Sequence, residues 1–138
     1  KDDNNDLPNA VIPLSTWAEL DPVAESYKIN ERLDPYISKD AIAAFKDLYV
    51  NDELDVKNPY ASPVYGNFDG FPPMLIQVGG REVLIDDSKK IVKKAKEAGC
   101  NVSLEVWDDM VHVFHGYAPF LPEANEALRA IGEFIADK

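Results

Sequence analysis

His112 and His115 are the only two histidines in the chain, and both fall in the stretch VWDDMVHVFHGY at residues 106–117. Imidazoles three residues apart serve either metal ligation or proton transfer. The H-x-x-H spacing offers two ligands with no clear third, which is weak ground for zinc, whose protein sites take three or four. No metal is therefore expected, and acid–base chemistry is the stronger reading, with His112 as the base. That chemistry needs a carboxylate to hold the imidazole's tautomer and to stabilise the imidazolium formed as the proton moves. A second loop, GGREVLIDD at residues 79–87, offers Glu82, Asp86 and Asp87.

Whether an acid from one loop can meet a histidine from the other depends on the elements that carry them. MLIQVGG (74–80) is a compact apolar run ending in two glycines and reads as a parallel-sheet strand covered on both faces. Asp86 or Asp87 can cap the next helix, SKKIVKKAKEAG (88–99), with Ile91, Ala95 and Ala98 on one face, the lysines on a solvated one, and Gly99 at C′. In NVSLEVWDD (101–109), Val102, Leu104 and Val106 alternate with Ser103, Glu105 and Trp107, the period of a strand. Pro122 fits the first turn of a closing helix whose apolar stripe is Ala124, Leu128, Ile131 and Ile135.

Strand, helix, strand, helix implies right-handed crossovers and a parallel sheet with helices on its faces, an α/β fold. In such sheets reactive groups gather at the carboxyl ends of the strands, where both loops lie. Glu82 and His112 are thus expected to be neighbours although thirty positions separate them. Glu82 comes first after the strand and is preferred to Asp86 as the residue that orients the imidazole. Asp86 is given a supporting structural role and Asp87 that of a helix cap.

Upstream, KDDNND is charged and loop-like, and AVIPLSTW (10–17), punctuated by Pro13, reads as a buried strand. Residues 18–34 have weak periodicity and read as a long surface connection. Ser38 can cap KDAIAAFKDLYV, in which Ile42, Phe45 and Tyr49 fall at helical spacing; a turn-rich section, 51–73, follows. At 138 residues the chain has the length of one domain, residues 1–138. A net charge of −11 opposes nucleic-acid binding, which needs clustered Lys and Arg. No apolar run approaches the roughly 20 residues that span a bilayer. The lone Cys100 cannot form an internal disulfide, which suits a cytoplasmic protein.

Hydrolytic relays on this kind of sheet serve a serine in G-x-S-x-G, and none of Ser15, Ser26, Ser38, Ser62, Ser88 or Ser103 stands in that motif. The segment SPVYGNFDGFPPMLIQVGGREVLIDD, continuing through VWDDMVHVF, nonetheless closely resembles the hormone-sensitive-lipase-like branch of the α/β-hydrolase carboxylesterases. That branch has a strand preceded by two prolines and followed by G-x-(D/E)-x-L-x-D, which falls on Glu82, Leu84 and Asp86. Its (M/L)-x-H-x-F falls on Met110, His112 and Phe114. The likeness continues upstream through ASP (61–63), LDPYIS (33–38) and PLSTW (13–17). Arg81 departs from the acidic or small residue common there.

The resemblance implies the C-terminal portion of an α/β-hydrolase fold, without the nucleophile elbow or the oxyanion loop. It implies a serine esterase of short-chain acyl esters in which Glu82 and His112 complete the triad, no cofactor is used, and the N-terminal half of the enzyme is the needed partner. This chain alone is then expected to be inactive. Trp17, Val111 and Phe114 are candidate walls of the substrate pocket, Trp17 being equally a packing residue, while Phe114, Tyr117 and Phe120 read as core or pocket wall. The last strand, 102–107, is placed at the sheet edge, where a second copy could pair to make a homodimer. The alternative is a non-catalytic binding or assembly module that kept the fold and lost the chemistry.

Overall fold

The computed structural model describes residues 6–50 and 55–137. The first five residues of the charged opening and the start of the turn-rich section, 51–54, lie outside the described residues. In chain order the elements are α1 (Ser26–Ile29), α2 (Lys39–Tyr49), β1 (Met74–Gly79), α3 (Ile85–Glu97), β2 (Val102–Trp107) and α4 (Pro122–Ala136). Short 3-10 turns stand at Pro63–Tyr65 and Phe114–Tyr117. No described helix is long and apolar enough to cross a membrane.

β1 and β2 pair in parallel, in register from Met74 opposite Val102 to Gly79 opposite Trp107. Every residue of β1 is buried, as its unbroken apolar run requires. Among the described residues β2 has no second neighbour and forms the edge.

On the other side of β1 the 10–17 segment does not form the regular strand expected. It touches β1 through isolated bridges, Val11 to Met74 and Leu14 to Gln77. The physical reason is Pro13. Val11 N–H donates to the Pro73 carbonyl (3.0 Å) and Ser15 N–H to that of Gln77 (2.9 Å), while Leu75 and Gln77 donate back to Val11 and Pro13. The one missing rung falls where Pro13 has no N–H to give. The register survives and the ladder is interrupted.

α2 begins as expected, with Ser38 Oγ accepting Ala41 N–H at 3.1 Å. Only Ile42 of its three periodic residues is buried; Phe45 and Tyr49 are exposed, because helical spacing defines a face without supplying a cover for it. α3 starts at Ile85, three residues earlier than expected, so Asp86 and Asp87 lie within its first turn and Leu84 is the N-cap. Gly99 takes a left-handed φ of 74°, the conformation foreseen for its place after the helix. The inward face of β2 changes at its end: Val106 is exposed and Trp107 packs against Phe114. The stripe of α4 is also displaced, since Ala124 and Ala127 are fully buried whereas Leu128 and Ile135 are half-exposed. Small alanines allow the close approach by which Gln77 Nε2, on β1, reaches the Ala127 carbonyl at 3.1 Å.

The largest departure concerns residues 18–34, which are not a surface connection. Ala18, Leu20, Tyr27, Asn30 and Asp34 are buried, because the polar groups of this segment bond to the turn after β1 and to the start of α3. Asp87, expected as an exposed cap, is fully buried and its Oδ2 accepts Ala18 N–H (2.9 Å) and Glu19 N–H (3.0 Å).

Burial pushes the Asp87 carboxyl up from 3.8 to about 6, against the pull of those two N–H groups and of Lys90. The unfolded chain therefore loses this proton first as pH rises. The group's contribution to stability is complete below its ordinary value, falls as pH climbs towards the folded value of about 6, and is flat above it. Asp87→Asn keeps an acceptor and removes the charge, so relative to this variant the natural protein should lose stability between about pH 4 and pH 6 and hold level beyond. Denaturant midpoints of both proteins across that range check this, and a pH-independent difference would refute it.

Candidate active site

Glu82 stands on the turn after β1 with no surface in water. Such a carboxylate is tolerated only when its oxygens find donors. Oε1 accepts Gly79 N–H and Ser15 Oγ–H, each at 2.6 Å, and Oε2 lies 3.0 Å from Nδ1 of His112. With Glu82 as acceptor, Nδ1 carries the imidazole's proton and Nε2 keeps its lone pair. The His112 side chain retains 23% of its surface.

The two loops are fastened together and from below. Gly80 N–H donates to the Trp107 carbonyl (2.8 Å) and Arg81 N–H to that of Met110 (3.1 Å). The Arg81 guanidinium crosses to Asp109 Oδ1 at 2.7 Å, so the residue that departs from the family pattern ties the acid loop to the histidine loop. Asn30 Nδ2 donates to the Gly80 (3.2 Å) and Glu82 (2.8 Å) carbonyls, and Asp34 Oδ2 accepts Val83 N–H at 3.1 Å. At Gly79 the loops approach so closely that a Cβ would lie 2.3 Å from the Met110 carbonyl oxygen.

The other predicted residues go elsewhere. Asp86 accepts Ser26 N–H at 3.0 Å, at the start of α1, and pairs with Lys89. Burial works to raise its carboxyl, but Lys89 and the Ser26 groups outweigh it and hold it below its ordinary value. It bonds α1 rather than either member of the Glu82–His112 pair.

His115 is buried against Phe114, and its Nε2 faces Gln77 Oε1 at 2.9 Å. The Gln77 amide nitrogen is already spent on Glu105 and Ala127, so its oxygen accepts and His115 Nε2 carries the proton. Burial holds His115 below its ordinary 6.5, offset in part by the charge of Glu82. The two histidines thus have separate partners, one in the site and one in the core.

Trp17 packs with Val83, Leu84 and Ile42, its indole N–H donating to the Glu19 carbonyl at 2.7 Å. Phe114 is fully buried with Ala124 and Ala127, which matches the core reading of this residue, and Val111 packs partly buried on the same cluster. Phe120 is 92% exposed and so is not core. Tyr117 is part-exposed, its hydroxyl meeting that of Tyr36. Sequence reasoning missed Ser15, Asn30 and Asp34, each far from the loops in sequence. No local signal marked them beyond their lying in PLSTW, in LDPYIS and just before it.

A family profile described as alpha/beta hydrolase fold matches residues 1–116. The chain belongs to that family. It is 34% identical over 128 residues to a protein named Esterase from Acinetobacter venetianus, covering 93% of this chain and 42% of that relative. It is 35% identical over 135 residues to a protein named Acetyl-hydrolase from Streptomyces hygroscopicus, covering 98% of this chain and 45% of the other. An esterase from the bacterial hormone-sensitive lipase family superposes with a TM-score of 0.92 at 41% identity, over 95% of this chain and 44% of that one. The chain therefore spans a little under half the length of these α/β-hydrolase relatives, and the hormone-sensitive-lipase-like character read from its motifs holds.

The close approach at Gly79 makes a sharp test of how the α/β-hydrolase loops are joined. Gly79→Ala should destabilise the protein by about 2 kcal/mol or more, since backbone must shift to admit the methyl group. Gly116→Ala, whose Cβ meets nothing within 4 Å, should cost far less. Chemical denaturation of the two variants checks the contrast, and equal costs would refute it.

Proposed function

We propose that this chain supplies the acid and the histidine of a serine carboxylesterase acting on short-chain acyl esters. The observation that carries the reading is the 3.0 Å contact between His112 Nδ1 and the buried Oε2 of Glu82. The names of the relatives support ester hydrolysis, and the chain's share of their length supports a nucleophile and oxyanion donors drawn from polypeptide outside it.

In this reading Nε2 of His112 takes the proton of a serine hydroxyl as its oxygen attacks the ester carbonyl. The imidazolium, held by Glu82, returns that proton to the departing alcohol, leaving an acyl-enzyme. Water then attacks the acyl carbon, giving its proton to Nε2, and the serine oxygen leaves as a hydroxyl with the proton returned. Backbone N–H groups from the same outside polypeptide stabilise each oxyanion. The edge of β2 and the half-exposed Val106, Leu128 and Ile135 support association with that polypeptide or across β2 with a second copy.

The purified chain should leave p-nitrophenyl butyrate intact, and adding a nucleophile-bearing N-terminal segment should restore hydrolysis. In the completed enzyme His112→Ala should lower kcat by roughly a thousandfold or more, and His115→Ala by far less once the folded fraction is matched. Equal losses would overturn the assignment of roles to the two histidines. A completed assembly that folds, binds ester and does not cleave it would favour a binding module instead.

A further inference from the structure

Ser15 has a property that the acid and the base do not explain. It lies 97 residues before His112, is 3% exposed, and holds a left-handed φ of 49°, a conformation that serine adopts at a cost. Its backbone is clamped there by Ser15 N–H donating to the Gln77 carbonyl at 2.9 Å. Its hydroxyl then does two things at once: it donates to Glu82 Oε1 at 2.6 Å and accepts Val113 N–H at 3.0 Å.

Val113 is the residue after His112, and its own φ of 48° is unusual for a β-branched side chain. Two strained residues from distant parts of the chain thus meet through one hydroxyl. That meeting fixes both partners of the pair. The donated bond leaves Glu82 Oε2 as the oxygen that faces the imidazole. The accepted bond holds the backbone from which the imidazole projects.

We infer that Ser15 is a positioning residue, whose hydroxyl sets the tautomer and orientation of His112 by locking Glu82 and the Val113 backbone in one geometry. The catalytic meaning of that geometry rests on the esterase reading above; the geometry itself does not. The Ser15 hydroxyl is buried and bonds Glu82 and the Val113 backbone, not the imidazole itself, so its effect passes through the placing of His112.

The test compares Ser15→Ala with Ser15→Gly. Both lose the hydroxyl, but glycine accepts a φ of 49° without strain, so it separates lost positioning from lost folding. In the isotopically labelled chain, NMR should show the His112 Nδ1–H as a protected proton in the natural protein. In both variants its exchange should quicken by roughly tenfold to a hundredfold, the worth of a hydrogen bond to a charged group, with the ring moving towards the Nε2–H tautomer.

In the enzyme completed with a nucleophile-bearing segment, kcat should fall by a similar roughly 10- to 100-fold factor with KM unchanged. A His112 ring that keeps its Nδ1 proton and tautomer in Ser15→Gly overturns the inference, as does an unchanged kcat in that variant. If the natural completed assembly does not hydrolyse esters, the esterase reading fails, and the ring signals in the chain itself still decide the role of Ser15.

Discussion

The arrangement around the site follows from a carboxyl group with no contact with water. Glu82 lies where desolvation would expel a charge unless donors replaced the lost hydration. They come from three places: the strand it follows, through Gly79; the segment beside that strand, through Ser15; and the loop after the next strand, through His112. Each donor draws a different piece of chain to the same point. Satisfying this one group therefore sets the relative positions of β1, β2 and the 10–17 segment at their common end.

The supporting layer obeys the same rule one step out. The acid loop's own backbone groups would be orphaned by burial, and Asn30 and Asp34 satisfy them from residues that look like connecting chain. Asp87 does the converse, offering a buried oxygen to the N–H groups of Ala18 and Glu19 at a cost that shows in its raised titration. These exchanges knit residues 18–34 to β1 and α3. They also explain why a stretch with weak apolar periodicity is buried, since its burial is driven by polar satisfaction as much as by apolar area.

On the opposite side of β1, Gln77 organises a second polar group. Its amide nitrogen serves Glu105 and Ala127 while its oxygen takes the proton of His115, so β1, β2, the histidine loop and α4 meet on one side chain. The two histidines three residues apart are divided by this geometry. A 3-10 turn begins at Phe114, and the change of direction sends His115 into the core. The pair whose spacing raised metal ligation beside proton transfer has one member in the candidate site and one in the core.

Much of the frame was legible in the residues. The buried run of β1, the Ser38 cap, the glycine that ends α3 and the parallel alternation of elements each rest on local physical chemistry, so they survive translation into three dimensions. The pairing of Glu82 with His112 was legible as well, because parallel crossovers bring successive strand ends to one edge. Other features needed the tertiary structure. Phe45, Leu128 and Ile135 have the spacing of covered faces, yet a face is buried only if another element arrives to cover it. The sequence by itself determined which groups could do chemistry and which ends of the strands would carry them. Only the folded chain decided that Ser15 should join the acid to the histidine loop, that Phe114 should be core, and that Asp87 should be buried. Those outcomes depend on contacts between residues far apart in sequence, for which no local pattern is required.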